Sequence, residues 1–197
     1  MVSIPFEELG SSAQNGIAIQ EIKGDLFQSD RTSTDALMLL DPSTKNYVTY
    51  NYRSNGWVKE GEAEPTTDYI KPGMGVFFSK TRSDGSMLVS GRVVRDTEVS
   101  CGLVRGYNLV SNPYPSPLKI ADISGDVSAH DSRPNQADQI MILNPVTKKY
   151  TTYQLRKATG WTKEGESTTT TDVIGAYEGF VYIKALKDGS LTFERPL

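Results

Sequence analysis

His130 is the only histidine in the chain, and Ser128, Asp131 and Ser132 lie beside it. These residue types supply a nucleophile, a base and an orienting acid, the parts of a Ser-His-Asp triad. A working triad also needs spatial convergence and an oxyanion hole, which neighbours in sequence do not by themselves provide. The related stretch Gln28-Ser29-Asp30 carries no histidine. The reading is therefore an exposed loop histidine, no catalytic residue, and a chain that is not an enzyme.

Acidic residues make a second set: Asp25, Asp30 and Asp35, then Asp126, Asp131 and Asp138. Calcium takes about six to eight hard oxygen ligands, and this spacing lacks the glycine and terminal glutamate of an EF-hand loop. Aspartate also bonds forward to the backbone in turns. Turn and strand-end chemistry is expected, with no metal and no cofactor. Asp35 and Asp138 each precede an apolar run, where a structural hydrogen bond is expected.

Aromatic residues make the third set. Tyr47, Tyr50, Tyr52 and Trp57 recur in part as Tyr150, Tyr153 and Trp161. A tryptophan kept at matching places is first a core anchor, because it buries a large area. The alternative is a ligand-binding face of Trp57, Trp161, Tyr50 and Tyr153 on which sugar rings stack, and it requires an exposed indole. Tyr107 and Tyr114 divide the same way. Thr168-Thr169-Thr170-Thr171 reads as a solvated loop.

These residues sit in a chain that repeats itself. Gly56-Trp57-Val58-Lys59-Glu60-Gly61-Glu62 returns as Gly160-Trp161-Thr162-Lys163-Glu164-Gly165-Glu166. Upstream, Thr34-Asp35 with Ala36 to Leu40 and Asp41-Pro42 returns as Ala137-Asp138 with Gln139 to Leu143 and Asn144-Pro145. Downstream, Thr67-Asp68, Ile70, Gly75 and Lys80 return as Thr171-Asp172, Ile174, Gly179 and Lys184. The spacing exceeds solenoid periods, so each copy is domain-sized. Residues 1–95 and 96–197 are assigned to the two copies.

The elements between these landmarks are strands. No window has apolar residues at helical spacing with caps. Val48, Tyr50 and Tyr52 alternate with Tyr47, Thr49 and Asn51, the period of a strand. Ala36 to Leu40 is wholly apolar, the pattern of a strand buried on both sides. Asp41 to Trp57 reads as a hairpin and its continuation, and Asn144 to Trp161 repeats it with one more residue in the turn. Expected core residues are Leu37 to Leu40, Trp57, Ile70, Val76 to Phe78 and Leu88. Their counterparts are Ile140 to Leu143, Trp161, Ile174, Phe180 to Tyr182 and Thr192. The fold class is all-β: two tandem antiparallel β-sandwich repeats related by internal duplication.

Composition narrows the partners. Net charge is −3 with both signs interspersed, so no electrostatic footprint for nucleic acid is present. No apolar run approaches the ~20 residues of a membrane span. Cys101 is the only cysteine, so neither an internal disulfide nor a cysteine metal cluster is available. Met1-Val2-Ser3-Ile4-Pro5 lacks the basic and apolar regions of a signal peptide. Met1 is expected to replace a removed leader or preceding segment. Val99 to Leu109 leads into the second copy without a visible counterpart in the first.

Gly106-Tyr107-Asn108-Leu109-Val110-Ser111-Asn112-Pro113-Tyr114-Pro115 resembles the "GWNLVGNPYP" opening of β-domains in secreted and surface proteins of Gram-negative bacteria. Gly73-Met74-Gly75-Val76-Phe77 and Ser90-Gly91-Arg92-Val93 resemble two later elements of that pattern. The second copy departs from it: Tyr177 stands for the first glycine and Arg195-Pro196 for the close. The resemblance implies extracellular or cell-surface display, with adhesion or structural roles and no assigned catalysis. The expected function is a non-enzymatic extracellular structural or surface protein, self-assembling through an edge strand or binding other surface proteins. The alternative is a carbohydrate-binding or adhesion module for glycans.

Overall fold

The structure, a computed structural model, describes residues 16–29, 33–41, 43–82, 85–90, 93–144 and 146–196 in full, with backbone alone at 2–3, 6–7 and 92. Among the described residues the helical segments are three-residue 3-10 turns, and the fold is all-β. None of these helices is long and apolar enough to cross a membrane.

The strands run in chain order as β1 (Val2–Ser3), β2 (Phe6–Glu7), β3 (Ile17–Ala18), β4 (Lys23–Gly24), β5 (Ala36–Asp41), β6 (Asn46–Arg53) and β7 (Gly56–Lys59). There follow β8 (Tyr69–Ile70), β9 (Gly75–Ser79), β10 (Met87–Leu88), β11 (Arg92–Val93), β12 (Glu98–Leu103) and β13 (Gly106–Ser111). The rest are β14 (Leu118–Lys119), β15 (Ser124–Gly125), β16 (Gln139–Leu143), β17 (Tyr150–Arg156), β18 (Gly160–Lys163), β19 (Val173–Ile174), β20 (Gly179–Lys184) and β21 (Gly189–Glu194).

One five-stranded sheet has the order β1-β9-β5-β6-β7, and another has β13-β20-β16-β17-β18. The two orders correspond strand for strand. Beside them lie β10-β4 and β11-β2 in the first half and β12-β21-β15 in the second. Pairs β3-β8 and β14-β19 complete the correspondence.

Local chemistry explains the hairpins. Asp41 Oδ1 accepts from the Ser43 N–H at 2.8 Å, and Lys45 takes φ 60°, which closes β5 onto β6. Asn144 Oδ1 does the same with the Val146 and Thr147 N–H groups, and Lys148 takes φ 57°. The second hairpin pairs Arg53 with Gly56 in one half and Arg156 with Gly160 in the other. The extra residue thus falls in the loop, where it shifts no strand register.

Each half encloses its tryptophan. Trp57 is 0% exposed and Trp161 2%. Trp57 packs with Ile17, Ile19, Ile22, Leu37, Ile70 and Val76. Trp161 packs with the residues at matching positions, Leu118, Ile120, Ile123, Ile140, Ile174 and Phe180. Each indole N–H finds a buried carbonyl, Ile22 at 3.2 Å and Ile123 at 3.3 Å. A buried donor left unpaired costs about 1–3 kcal/mol, so these carbonyls fix the ring orientation.

Several core expectations need correction: Phe77, Phe78 and Met141 to Leu143 are half-buried, and only Val76 and Ile140 of their ranges are interior. Leu88 is 63% exposed; its neighbours Met87 and Val89 face the core instead. Thr192 is half-buried, while Leu191 and Phe193 are interior. Strand side chains alternate faces, and the turns before β10 and β21 set which parity points inward. Ala36 to Leu40 is not covered on both sides: Leu37 and Leu39 are buried, and Met38 and Leu40 are half-buried on the opposite face.

Asp35 and Asp138 are both 0% exposed. Asp35 accepts from the Phe27 N–H at 2.9 Å and the Thr81 N–H at 2.8 Å, and pairs with Lys80 at 2.7 Å. Asp138 accepts from the Ser128 N–H at 2.9 Å, the Ala185 N–H at 2.8 Å and the Tyr182 hydroxyl at 2.8 Å, and pairs with Lys184 at 2.9 Å. Burial opposes ionisation of Asp35, but Lys80 and the two N–H donors overcome it and hold its pKa below 3.8.

Removing one partner of a buried pair strands the other charge. Asp138→Ala and Lys184→Met should each cost about 3–5 kcal/mol in urea unfolding, and the double variant less than their sum. Lys80 is 21% exposed against 1% for Lys184, so Lys80→Met should cost less. A depressed carboxyl pKa stabilises above about pH 4 and loses that contribution as pH falls through the folded value. The urea midpoint should therefore drop below about pH 4, and Asp35→Asn should flatten the drop.

Candidate functional sites

The four residues of the alternative ligand face do not form one. Trp57, Trp161, Tyr50 and Tyr153 are all interior. Trp57 lies against Tyr52 at 5.1 Å and Trp161 against Tyr182 at 6.1 Å, so neither indole offers a stacking surface. Solvent-facing aromatics are Tyr47, Tyr107 and Tyr150.

His130 is half-buried, and its Nδ1 accepts from the Ser132 and Arg133 N–H groups at 3.2 and 3.0 Å. Asp131 accepts from the Ala158 N–H at 3.1 Å, away from the imidazole. The histidine caps its own turn. The other acids serve local geometry: Asp25 receives the Ser86 N–H and hydroxyl, and Asp126 the Ser190 hydroxyl. Asp30 lies outside the described residues. No three His, Cys, Asp or Glu groups among the described residues converge as metal ligands.

Tyr50 and Tyr153 instead contribute their hydroxyls to a cleft that is built twice. Tyr50 sits mid-strand in β6, and its hydroxyl donates to Asp68 Oδ2 at 2.6 Å. Tyr153 sits at the matching place in β17 and donates to Asp172 Oδ2 at 2.7 Å. Each aspartate is set by a turn in which its own N–H donates to a threonine hydroxyl two residues back, Thr66 or Thr170, at 3.1 Å. Burial, then the aspartate, raises both phenol pKa values, so the hydroxyls remain donors at neutral pH. The Tyr153 hydroxyl and the Lys163 ammonium hold Asp172 below the usual carboxylate range. The cleft volumes are about 470 Å³ and about 480 Å³. Sequence reading found Thr67-Asp68 and Thr171-Asp172 as echoes but gave them no role. The recurrence of Tyr, Lys and Asp around each Trp was the available signal.

A second feature is a sheet edge with no further partner among the described residues. In the second half, β12 pairs with β21 from Glu98↔Glu194 to Leu103↔Gly189 and closes the core over Leu191 and Phe193. In the first half, β10 pairs with β4 alone among the described residues. Met87, Val89 and Phe78 are half-buried there, whereas their counterparts Leu191, Phe193 and Tyr182 are interior.

At Gly73-Met74 the halves meet largely through main chain, and Lys45 pairs with Asp188 across them at 2.8 Å. Gly73 C=O accepts from the Ser111 N–H at 3.0 Å, Met74 C=O accepts from the Ser111 hydroxyl at 2.9 Å, and Met74 bridges Val110. Beside this joint is a groove of about 440 Å³ bordered by Met74, Cys101 and Leu109. Burial pushes the Cys101 thiol up to about 12, so it stays protonated and unreactive.

No protein family, curated protein or solved structure matches the chain.

A Cβ on Gly75 would lie 2.6 Å from Val110 N and 2.7 Å from Val110 O, and backbone cannot swing aside. Gly75→Ala should therefore lower stability by about 1–3 kcal/mol and raise protease cleavage near residues 94–98. Gly102→Ala, whose Cβ meets nothing within 4 Å, is the control expected to change neither.

Proposed function

We propose that the chain is a tandem duplication of an antiparallel β-sandwich unit, with units 1–95 and 96–197. We read it as a non-enzymatic extracellular structural or surface protein that self-associates through a sheet edge. The observation that carries this reading is the edge of β10, which has no partner but β4 among the described residues. The second half supplies its own cover, and the first half leaves the same core residues partly in solvent. A strand edge presents unpaired backbone donors and acceptors that an incoming strand satisfies. Such a contact joins unlike surfaces and propagates when its rotation does not close.

The likeness of Gly106 to Pro115 to secreted β-domains supports placement at the cell surface. The capped His130 and the raised tyrosine pKa values support a role without acid-base catalysis.

The test is association. Sedimentation across a hundredfold concentration range should show growth beyond one chain, with elongated particles in negative-stain micrographs. A variant preceded at Val2 by a second copy of the stretch from Thr97 to Leu109 covers the edge in cis. It should associate at least tenfold more weakly. Monodisperse single chains throughout, or association unchanged in the extended variant, would defeat the reading.

A further inference from the structure

We propose that the two equivalent clefts are a pair of saccharide sites, each reading adjacent hydroxyls of a neutral sugar, so that one chain engages a polymeric glycan at two points. This does not rest on the association reading: it uses the Tyr-Asp-Lys set and not the β10 edge.

The clefts match in position and in groups. Leu39, Leu40 and Val48 form a wall in the first, and Ile142, Leu143 and Thr151 in the second. Tyr50 and Asp68 line one, and Tyr153 and Asp172 the other. Lys59 stands opposite Tyr50 in strand register, as Lys163 stands opposite Tyr153. In both aspartates Oδ2 is taken by the tyrosine hydroxyl, while Oδ1 accepts nothing among the described residues. The Lys59 ammonium lines the first cleft with no partner among the described residues. Lys163 holds Asp172 at 3.0 Å.

This set offers an ionised acceptor beside an ammonium donor. A sugar hydroxyl both donates and accepts, so two neighbouring hydroxyls satisfy the carboxylate and the ammonium together. Bonds to charged groups are the stronger kind. The aliphatic wall takes the C–H-rich side of the ring, the usual division of labour in a small-molecule cleft. Carboxylate and ammonium balance, so the ligand need carry no charge. Both clefts are open and shallow, and each alone binds weakly; two on one chain raise affinity for a polymer by effective concentration.

The clefts are not identical, and the differences sharpen the assignment. The first is lined by Asp41, Lys71 and Met74, and the second by Asn144 and Glu178 at the places of Asp41 and Met74. Two lysines balance two carboxylates in the first cleft, whereas Glu178 leaves the second with an excess of negative charge, so a uronic acid is accepted by the first and repelled from the second.

The test is an amide NMR titration of the intact chain with neutral gluco-, galacto- and manno-oligosaccharides and with an oligouronate. With at least one neutral oligosaccharide, shifts are expected around Asp68 and Asp172 in one titration, with two ligands per chain. With the oligouronate they are expected around Asp68 alone. Asp68→Asn should abolish the first set only, Asp172→Asn the second only, and the double variant both. If an Asn variant lowers thermal stability, Lys59→Ala and Lys163→Ala keep the test alive, with the same one-site losses. No cleft shift with any saccharide at about 10 mM, or shifts that survive in the double Asn variant and in the two Lys→Ala variants, would overturn the proposal. Sedimentation is read separately, so failure here leaves the association result unaffected.

Discussion

A carboxylate with no access to water sits at the foot of the central strand in each half, and the fold is arranged around satisfying it. Asp35 and Asp138 gather a loop N–H, an N–H just beyond the paired strand β9 or β20, and a lysine ammonium from that strand's end. Their own main chains are used as well: Asp35 N–H donates to Phe27 C=O, and Tyr52 N–H donates to Asp35 C=O. Ions taken from water this completely gain little net stability over a well-packed apolar pair. What they supply is a unique answer to which segments meet, because any other arrangement leaves a charge without partners.

From that anchor the rest follows in order. Fixing the start of β5 against the end of β9 sets the sheet register, and the register sets which residues face Trp57. The indole N–H then holds the 3-10 turn through Ile22, and the second half repeats this with Ile123. The tyrosines that line the clefts are carried on the next strand, so their hydroxyls arrive at Asp68 and Asp172 only because the central strand is already placed.

Much of this was legible from residue order. The alternation of Val48, Tyr50 and Tyr52 gave strand β6 and its inward face, and Asp41 and Asn144 gave their turns. The paired tryptophans gave both cores. Leu88 and Thr192 were misplaced because parity depends on how many residues the preceding turn consumes, which the apolar pattern does not record. Lys80 and Lys184 were visible as echoes, but nothing local links them to aspartates 45 and 46 residues earlier. The clefts were illegible for the same reason: Tyr50 and Asp68 meet through the fold and not through spacing.

At Gly73-Met74 the joint between the halves runs through peptide groups with the Ser111 hydroxyl beside them, and Lys45 pairs with Asp188 across it at 2.8 Å. Peptide groups are the one part of a chain that amino-acid replacement leaves alone. Drift at surface positions away from Lys45, Asp188 and Ser111 therefore leaves these contacts in place. Replacement on either half's surface thus leaves in place the main-chain bonds that join the two.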